Sequence, residues 1–146
     1  MTSGRYIYPV ELEPEPDGSA VNLSFPDFRG ARTWGDDEAE ALSLAEDCLI
    51  AALGGYVALD HAIPKPSPAR GRPTVSLPPL VAAKLALYEA MRAQGVSRED
   101  LAARLGMAEP AMRRLLDLDH RSHLDQLDRA LAALGKRLEV RVLTPA

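Results

Sequence analysis

Two adjacent arginines, Arg113 and Arg114, sit in the stretch SREDLAARLGMAEPAMRRLLD from Ser97 to Asp117. Each guanidinium can take guanine by two parallel hydrogen bonds or grip a phosphate, and the sequence does not separate the two roles. If the stretch forms two short helices, the exposed side of the second carries Ala108, Glu109, Pro110, Arg113, Arg114 and Asp117, the candidate DNA-binding residues. A different chemistry is suggested nearer the start, where Glu11, Glu13, Asp17, Asp27 and Asp36 recur. Two-metal hydrolysis needs acids converging from several elements. Here Glu13 and Asp17 sit in or beside a turn and Asp36 opens a helix, so nothing brings them to one point, and no catalytic residue is assigned. His120 and His123 have the spacing of a metal-binding pair but flank a helix start without further ligands, and are read as surface histidines. Cys48 is the single cysteine, which excludes an internal disulfide and a thiolate metal cluster within one chain. With no glycine-rich phosphate loop and no serine elbow, no metal and no cofactor is expected.

The arginines are positioned by strong local signals. Ser97 and Asp100 form a capping pair that takes up unpaired amides of the first turn. Leu101 and Leu105 share one face, and Gly106 supplies the positive φ that stops the helix. Pro110 suits the first turn of the next helix, and Met112, Leu115 and Leu116 give it an apolar side. Ala102, four residues before Gly106, lets the second helix cross closely. This is the pattern of a helix-turn-helix, whose second helix enters the major groove.

At 146 residues the chain accommodates one or two small domains, and 47% hydrophobic with 26% charged residues is a globular composition. No apolar run is read as long enough to span a membrane, and MTSGRYIYPVELEPEP lacks a signal-peptide core, so a cytoplasmic location is expected. The net charge of −4 is unevenly divided. Residues 1 to 69 carry 4 Lys or Arg against 12 Asp or Glu, and residues 70 to 146 carry 13 against 9. The first part suits a basic protein surface and the second a polyanion, unless the acids serve only solubility.

Along the chain, Arg5 to Leu12 alternates with Tyr6, Tyr8, Val10 and Leu12 on one face and predicts a strand. The turn EPEPDG leads to a return strand over Ala20 to Phe25, and Gly30 to Trp34 supplies a third. This antiparallel meander needs a cover. The helix over Asp37 to Tyr56 provides it, capped by Asp37 and Glu40, with Leu42, Ala45, Leu49, Ala52 and Tyr56 facing the sheet and Gly54-Gly55 loosening its end. Asp36, Asp37, Glu38, Glu40, Glu46 and Asp47 leave its outside acidic. Ile63 to Pro73 reads as a proline-stiffened tether, and Thr74 to Leu77 adds a short strand.

Leu80 to Ala93 predicts a helix with Leu80, Ala83, Leu87 and Ala90 on one side. After the two short helices, Ser122 and Asp125 cap another, bearing Leu124, Leu127, Leu131 and Leu134 and ending at Gly135. Lys136 to Leu143 alternates Leu138, Val140 and Val142 with charged residues, as a half-buried strand does. Such a strand needs a partner, either the same strand of a second copy or the front sheet. A two-fold dimer would present two recognition helices to a palindromic site.

In combination, Tyr8-Pro9, Asp17-Gly18, Ser24-Phe25-Pro26-Asp27 with Gly30, Thr33, Gly35-Asp36, Glu40-Ala41-Leu42 with Ala45, and Ile63-Pro64 with Pro66-Ser67 resemble the HicB antitoxin family of bacterial toxin-antitoxin pairs. Phe28, Ala31 and Trp34 depart from the leucine, cysteine and polar residue of that pattern. The resemblance covers about residues 5 to 68; the rest looks like that family's helix-turn-helix variant. It implies an α+β fold: an N-terminal partial ribonuclease-H-like domain without catalytic acids, then a mainly α helix-turn-helix domain ending in a strand. The domains expected are 1–68, a linker at 69–73, and 74–146 for DNA binding and dimerisation. The implied partners are a small basic HicA-type ribonuclease toxin, operator DNA and a second copy of the chain. The candidate toxin-binding residues are Glu11, Glu13, Asp17, Asp27, Asp36 and Trp34. The expected function is therefore a non-enzymatic antitoxin that also represses its own operon. The alternative is a ligand-responsive helix-turn-helix repressor with a small-molecule-sensing front domain.

Overall fold

The computed structural model describes residues 6–144. Its elements in order are β1 (Ile7–Pro9), β2 (Glu11–Pro14), β3 (Val21–Ser24), β4 (Arg32–Gly35), α1 (Glu38–Ala58), β5 (Thr74–Ser76), α2 (Pro79–Gln94), α3 (Arg98–Leu105), α4 (Glu109–Leu116) and α5 (Leu124–Ala132). They divide into two compact units, Met1–Ala82 and Ala83–Ala146.

In the first unit the expected meander is the antiparallel sheet β2-β3-β4, with Leu12 opposite Leu23 and Leu23 opposite Thr33. Arg5, where the first strand was expected to begin, lies outside the described residues. The rest of that strand is broken at Val10. Pro9 has no N–H for a ladder, and Val10 instead donates to Pro73 O at 2.9 Å. The piece before the break, β1, pairs antiparallel with β5, with Tyr8 opposite Val75. Residues 63 to 73 are accordingly no free tether. Tyr8 Oη donates to Pro64 O at 2.8 Å, and Arg72 Nη1 bonds Glu11 Oε2 at 3.0 Å. The linker drawn at 69–73 and the start of a second domain at 74 thus both fall inside the first unit, because β5 supplies the ladder partner of β1. Counted this way, residues 1–82 hold 6 Lys or Arg against 12 Asp or Glu and residues 83–146 hold 11 against 9. The asymmetry keeps its sign but narrows.

α1 forms where its capping pair predicts: Asp37 Oδ1 accepts from Glu40 N at 2.8 Å, and Glu40 Oε1 accepts from Asp36 N at 2.6 Å. Its buried stripe is Ala41, Ala45, Leu49, Leu53 and Val57, one position round from the expected Leu42, Ala52 and Tyr56. The helix runs through Gly54-Gly55 to Ala58 and, at 21 residues, is long and apolar enough by length and composition to cross a membrane, contrary to the expectation that no such run is present. In this fold the stripe is spent on packing against β3, β4 and β5. Phe28 anchors the core beneath, its ring 4.8 Å from Tyr8 and 5.7 Å from Tyr56.

In the second unit α2 is buried on most sides through Ala83, Lys84, Leu85, Leu87, Tyr88 and Met91. α3 starts at Ser97, whose Oγ accepts from Asp100 N at 3.0 Å, and stops at Gly106 with φ +65°. There Met107 N reaches Ala102 O and Gly106 N reaches Ala103 O, the paired bonds that close a helix on a left-handed residue. α5 starts one residue later than expected: His123 is its N-cap, and His123 N donates to Gln126 Oε1 at 3.0 Å. Ser122 serves elsewhere. Leu127, Ala130, Leu131 and Leu134 are buried while Leu124 is exposed. The expected closing strand over Lys136 to Leu143 does not form, since no ladder partner for it exists among the described residues. Val140, Val142 and Leu143 are exposed there.

Candidate functional site

Alternation along β2-β3-β4 sorts its side chains by face. Leu12, Leu23 and Thr33 form one cross-strand row on the α1 side, with Leu23 buried. The rows Glu11-Ser24-Arg32 and Glu13-Asn22-Trp34 therefore point the other way, to solvent. On that outer face Trp34 is 58% exposed. A concavity of about 880 Å³ lies over the same face, lined among others by Glu11, Glu13, Asn22, Ser24, Arg32 and Arg72. So three of the six acid and aromatic candidates, Glu11, Glu13 and Trp34, share one surface.

The other three are dispersed. Asp36 is exposed two residues beyond Trp34, at the mouth of α1 beside Asp37, Glu38 and Glu40. The link between this acidic helix start and the sheet is Gly35. A Cβ there would clash with Ala41 N and stand 2.8 Å from Glu40 C, so only glycine lets β4 run this close to the first turn of α1. Asp17 lies in the β2-β3 hairpin, where the hydroxyl and amide of Ser19 hold its carboxyl below the usual range. Asp27 is occupied by Ser67, whose N–H bonds it at 2.9 Å and whose hydroxyl bonds its other oxygen.

In the second unit Ala108, Glu109, Pro110, Arg113, Arg114 and Asp117 are all exposed on one side of α4, while Met112, Leu115 and Leu116 are buried. Ala108 is the N-cap but gives no side-chain cap. The other end of the helix is held by a lysine that no sequence motif marks. Lys84 of α2 is fully buried, and its Nζ donates to Arg114 O at 2.9 Å, Asp117 O at 2.7 Å and Ser122 Oγ at 2.9 Å. Burial pushes its ammonium below the ordinary lysine range, opposed by the carboxylate of Asp117. The available signal was that Lys84 is the only charged residue between Leu77 and Tyr88. His120 Nδ1 lies 3.3 Å from Ser122 Oγ. Among the described residues no three His, Cys, Asp or Glu side chains cluster as metal ligands.

Antiparallel sheet, covering acidic helix and helical second unit match a known class. Residues 7–86 match the family model of HicB-like antitoxins of bacterial toxin-antitoxin systems. The chain is 38% identical over 133 residues to Antitoxin HicB 2 of Photorhabdus laumondii, covering 91% of this chain and 94% of that one. It is 35% identical to Antitoxin HicB of Escherichia coli K12, over 91% of this chain and 96% of the relative. Against Antitoxin HicB of Pseudomonas fluorescens it is 35% identical, over 93% of each chain. The chain belongs to the HicB-like antitoxin family.

Proposed function

We propose that this chain is the antitoxin of a HicAB-type pair: its first unit binds and inhibits an mRNA-cleaving HicA-type toxin, and its second unit binds DNA and represses its own operon. The observation that carries the first activity is the exposed Trp34, in a row with Glu13 and Asn22 and followed by the acidic start of α1. A large exposed aromatic on a sheet face that also carries Glu13, followed along the chain by the acidic start of α1, is a fit partner for the basic surface of an enzyme shaped to grip RNA. In this reading the first unit is a partial ribonuclease-H-like fold that holds a partner and performs no reaction.

The second activity is supported by the exposed Arg113 and Arg114 on α4, read as the recognition helix of a helix-turn-helix. The alternating, exposed segment through Val140 and Val142 would find its ladder in the same segment of a second copy. That homodimer would set two copies of α4 on a palindromic site. The protein acts in the cytoplasm, without metal or cofactor.

Co-expression with the product of the gene beside this one tests the first activity, and titration with the DNA upstream of the gene tests the second. Growth is restored by the unaltered chain. Trp34→Ala weakens the purified complex by roughly tenfold or more while leaving the thermal transition in place. Arg113→Ala with Arg114→Ala still rescues growth yet loses binding to the DNA upstream of the gene. No complex with the neighbouring protein overturns the antitoxin reading, and undiminished DNA binding by the double variant overturns the assignment of α4.

A further inference from the structure

We propose that Lys84 is a positioning residue for DNA recognition: its buried ammonium fixes the C-terminal end of α4 and so sets the placement of Arg113 and Arg114. The inference rests on the reading of α4 as the DNA-contacting helix.

α4 is eight residues long, little more than two turns, and so short a helix draws its order from what holds it. Its N-cap, Ala108, makes no side-chain cap bond. At the other end the C-cap N–H of Asp117 is shared between Arg113 O and Arg114 O, at 3.1 and 3.2 Å, which leaves Arg114 O room for a second donor, and a cation there is favoured by the helix dipole. Lys84 meets both needs from α2, a different element. Its three protons find three acceptors: Arg114 O in the last turn of α4, Asp117 O at the C-cap, and Ser122 Oγ in the loop that follows.

Stability alone gives little reason for this arrangement. An ammonium out of water is costly, and apolar side chains of similar volume often replace buried charges without loss. An apolar residue would fit an otherwise apolar helix face of Ala83, Leu85, Leu87 and Tyr88. What it could not do is fix direction, because hydrophobic contact is non-directional whereas three hydrogen bonds constrain angle and distance together. The constraint falls on the arginines themselves. Arg114 offers its carbonyl to Lys84 while its side chain is exposed, so turning α4 about its axis would break the grip and misplace the guanidinium at once. Base readout needs bidentate geometry and suffers from such a turn, whereas phosphate attraction tolerates it.

The test compares full-length protein and Lys84→Met, similar in length but without charge or donors. Each is titrated with a duplex from the region upstream of the gene and with a scrambled duplex of equal length, at one salt concentration. Lys84→Met is expected to lose about tenfold in affinity for the upstream duplex while its affinity for the scrambled one stays within about twofold. Amide exchange at Asp117 and His120 should quicken, with the amides of α5 unchanged. Ser122→Ala removes one acceptor and no charge, and should move the ratio the same way by less; it carries the comparison if Lys84→Met does not fold. An unchanged ratio in a folded variant overturns the role of Lys84. If the unaltered chain itself shows no preference for the upstream duplex, the reading of α4 fails and this inference with it.

Discussion

Ser67 donates both its backbone N–H and its hydroxyl to the carboxylate of Asp27, closing a loop across 40 residues. Two donors on one half-buried carboxylate make Asp27 a fastening of the first unit, holding the proline-rich return segment to the loop before β4. Asp27→Ala leaves the Ser67 N–H and hydroxyl unpaired and is expected to cost about 2 kcal/mol of unfolding free energy in a denaturant titration. Any loss of partner binding should match the loss of folded protein. An Asp27→Ala variant of unchanged stability and weakened binding would return this carboxylate to the partner-contacting set.

Gly35 governs how near the acidic end of α1 stands to Trp34. Its missing Cβ makes room for Ala41 N and for Glu40. Gly35→Ala is expected to destabilise by roughly 1–3 kcal/mol, because backbone atoms must yield. Gly54→Ala is the contrast: a Cβ there meets nothing within 4 Å, and the residue lies inside α1. That substitution is expected to stabilise by roughly 0.5–1 kcal/mol through the lower entropy of the unfolded chain. A Gly35→Ala variant as stable as the unaltered chain, or a Gly54→Ala variant that melts lower, would refute the packing described.

Cys48 lies half-buried on α1, and burial pushes its thiol up. Less thiolate is present at any pH below that raised value, so a thiol reagent at pH 8 should modify Cys48 more slowly than free cysteine, with the rate climbing steadily above pH 9. The folded state binds the proton more tightly than the unfolded one, so this group's contribution to stability is lost as pH rises through the raised value. A reaction as fast as free cysteine at pH 8 would show an ordinary, accessible thiol.

Where local chemistry decides, the sequence was readable. Asp37 with Glu40 and Ser97 with Asp100 mark two helix starts, and Gly106 and Gly135 each adopt the positive φ expected of a stop. The face of α1 is not legible in the sequence because apolar residues surround much of that helix, so the buried stripe at every fourth position, Ala41 to Val57, does not stand apart from its neighbour. The break at Val10 and the fate of Thr74–Ser76 depend on a ladder between distant segments, which alternation does not encode. On the outer face, the register of β2-β3-β4 unites Glu11, Glu13 and Trp34, which in the sequence are joined only by the family resemblance. The bond between Asp27 and Ser67 is not legible in the sequence because the two lie far apart along the chain. Lys84 was missed because a lysine in an apolar helix declares itself only through the carbonyls it meets.

The pairing of Ile7–Pro9 with Thr74–Ser76 bears on how this protein is made. During synthesis the first strand leaves the ribosome long before its mate exists, and such distant contacts are slow to close. A chain cut after residue 68 would keep the meander and α1 but leave that edge unmatched, open to pairing with other chains. One reaching Ala82 carries its own closure. The front module is thus whole only when translation has passed beyond what the sequence presents as a hinge.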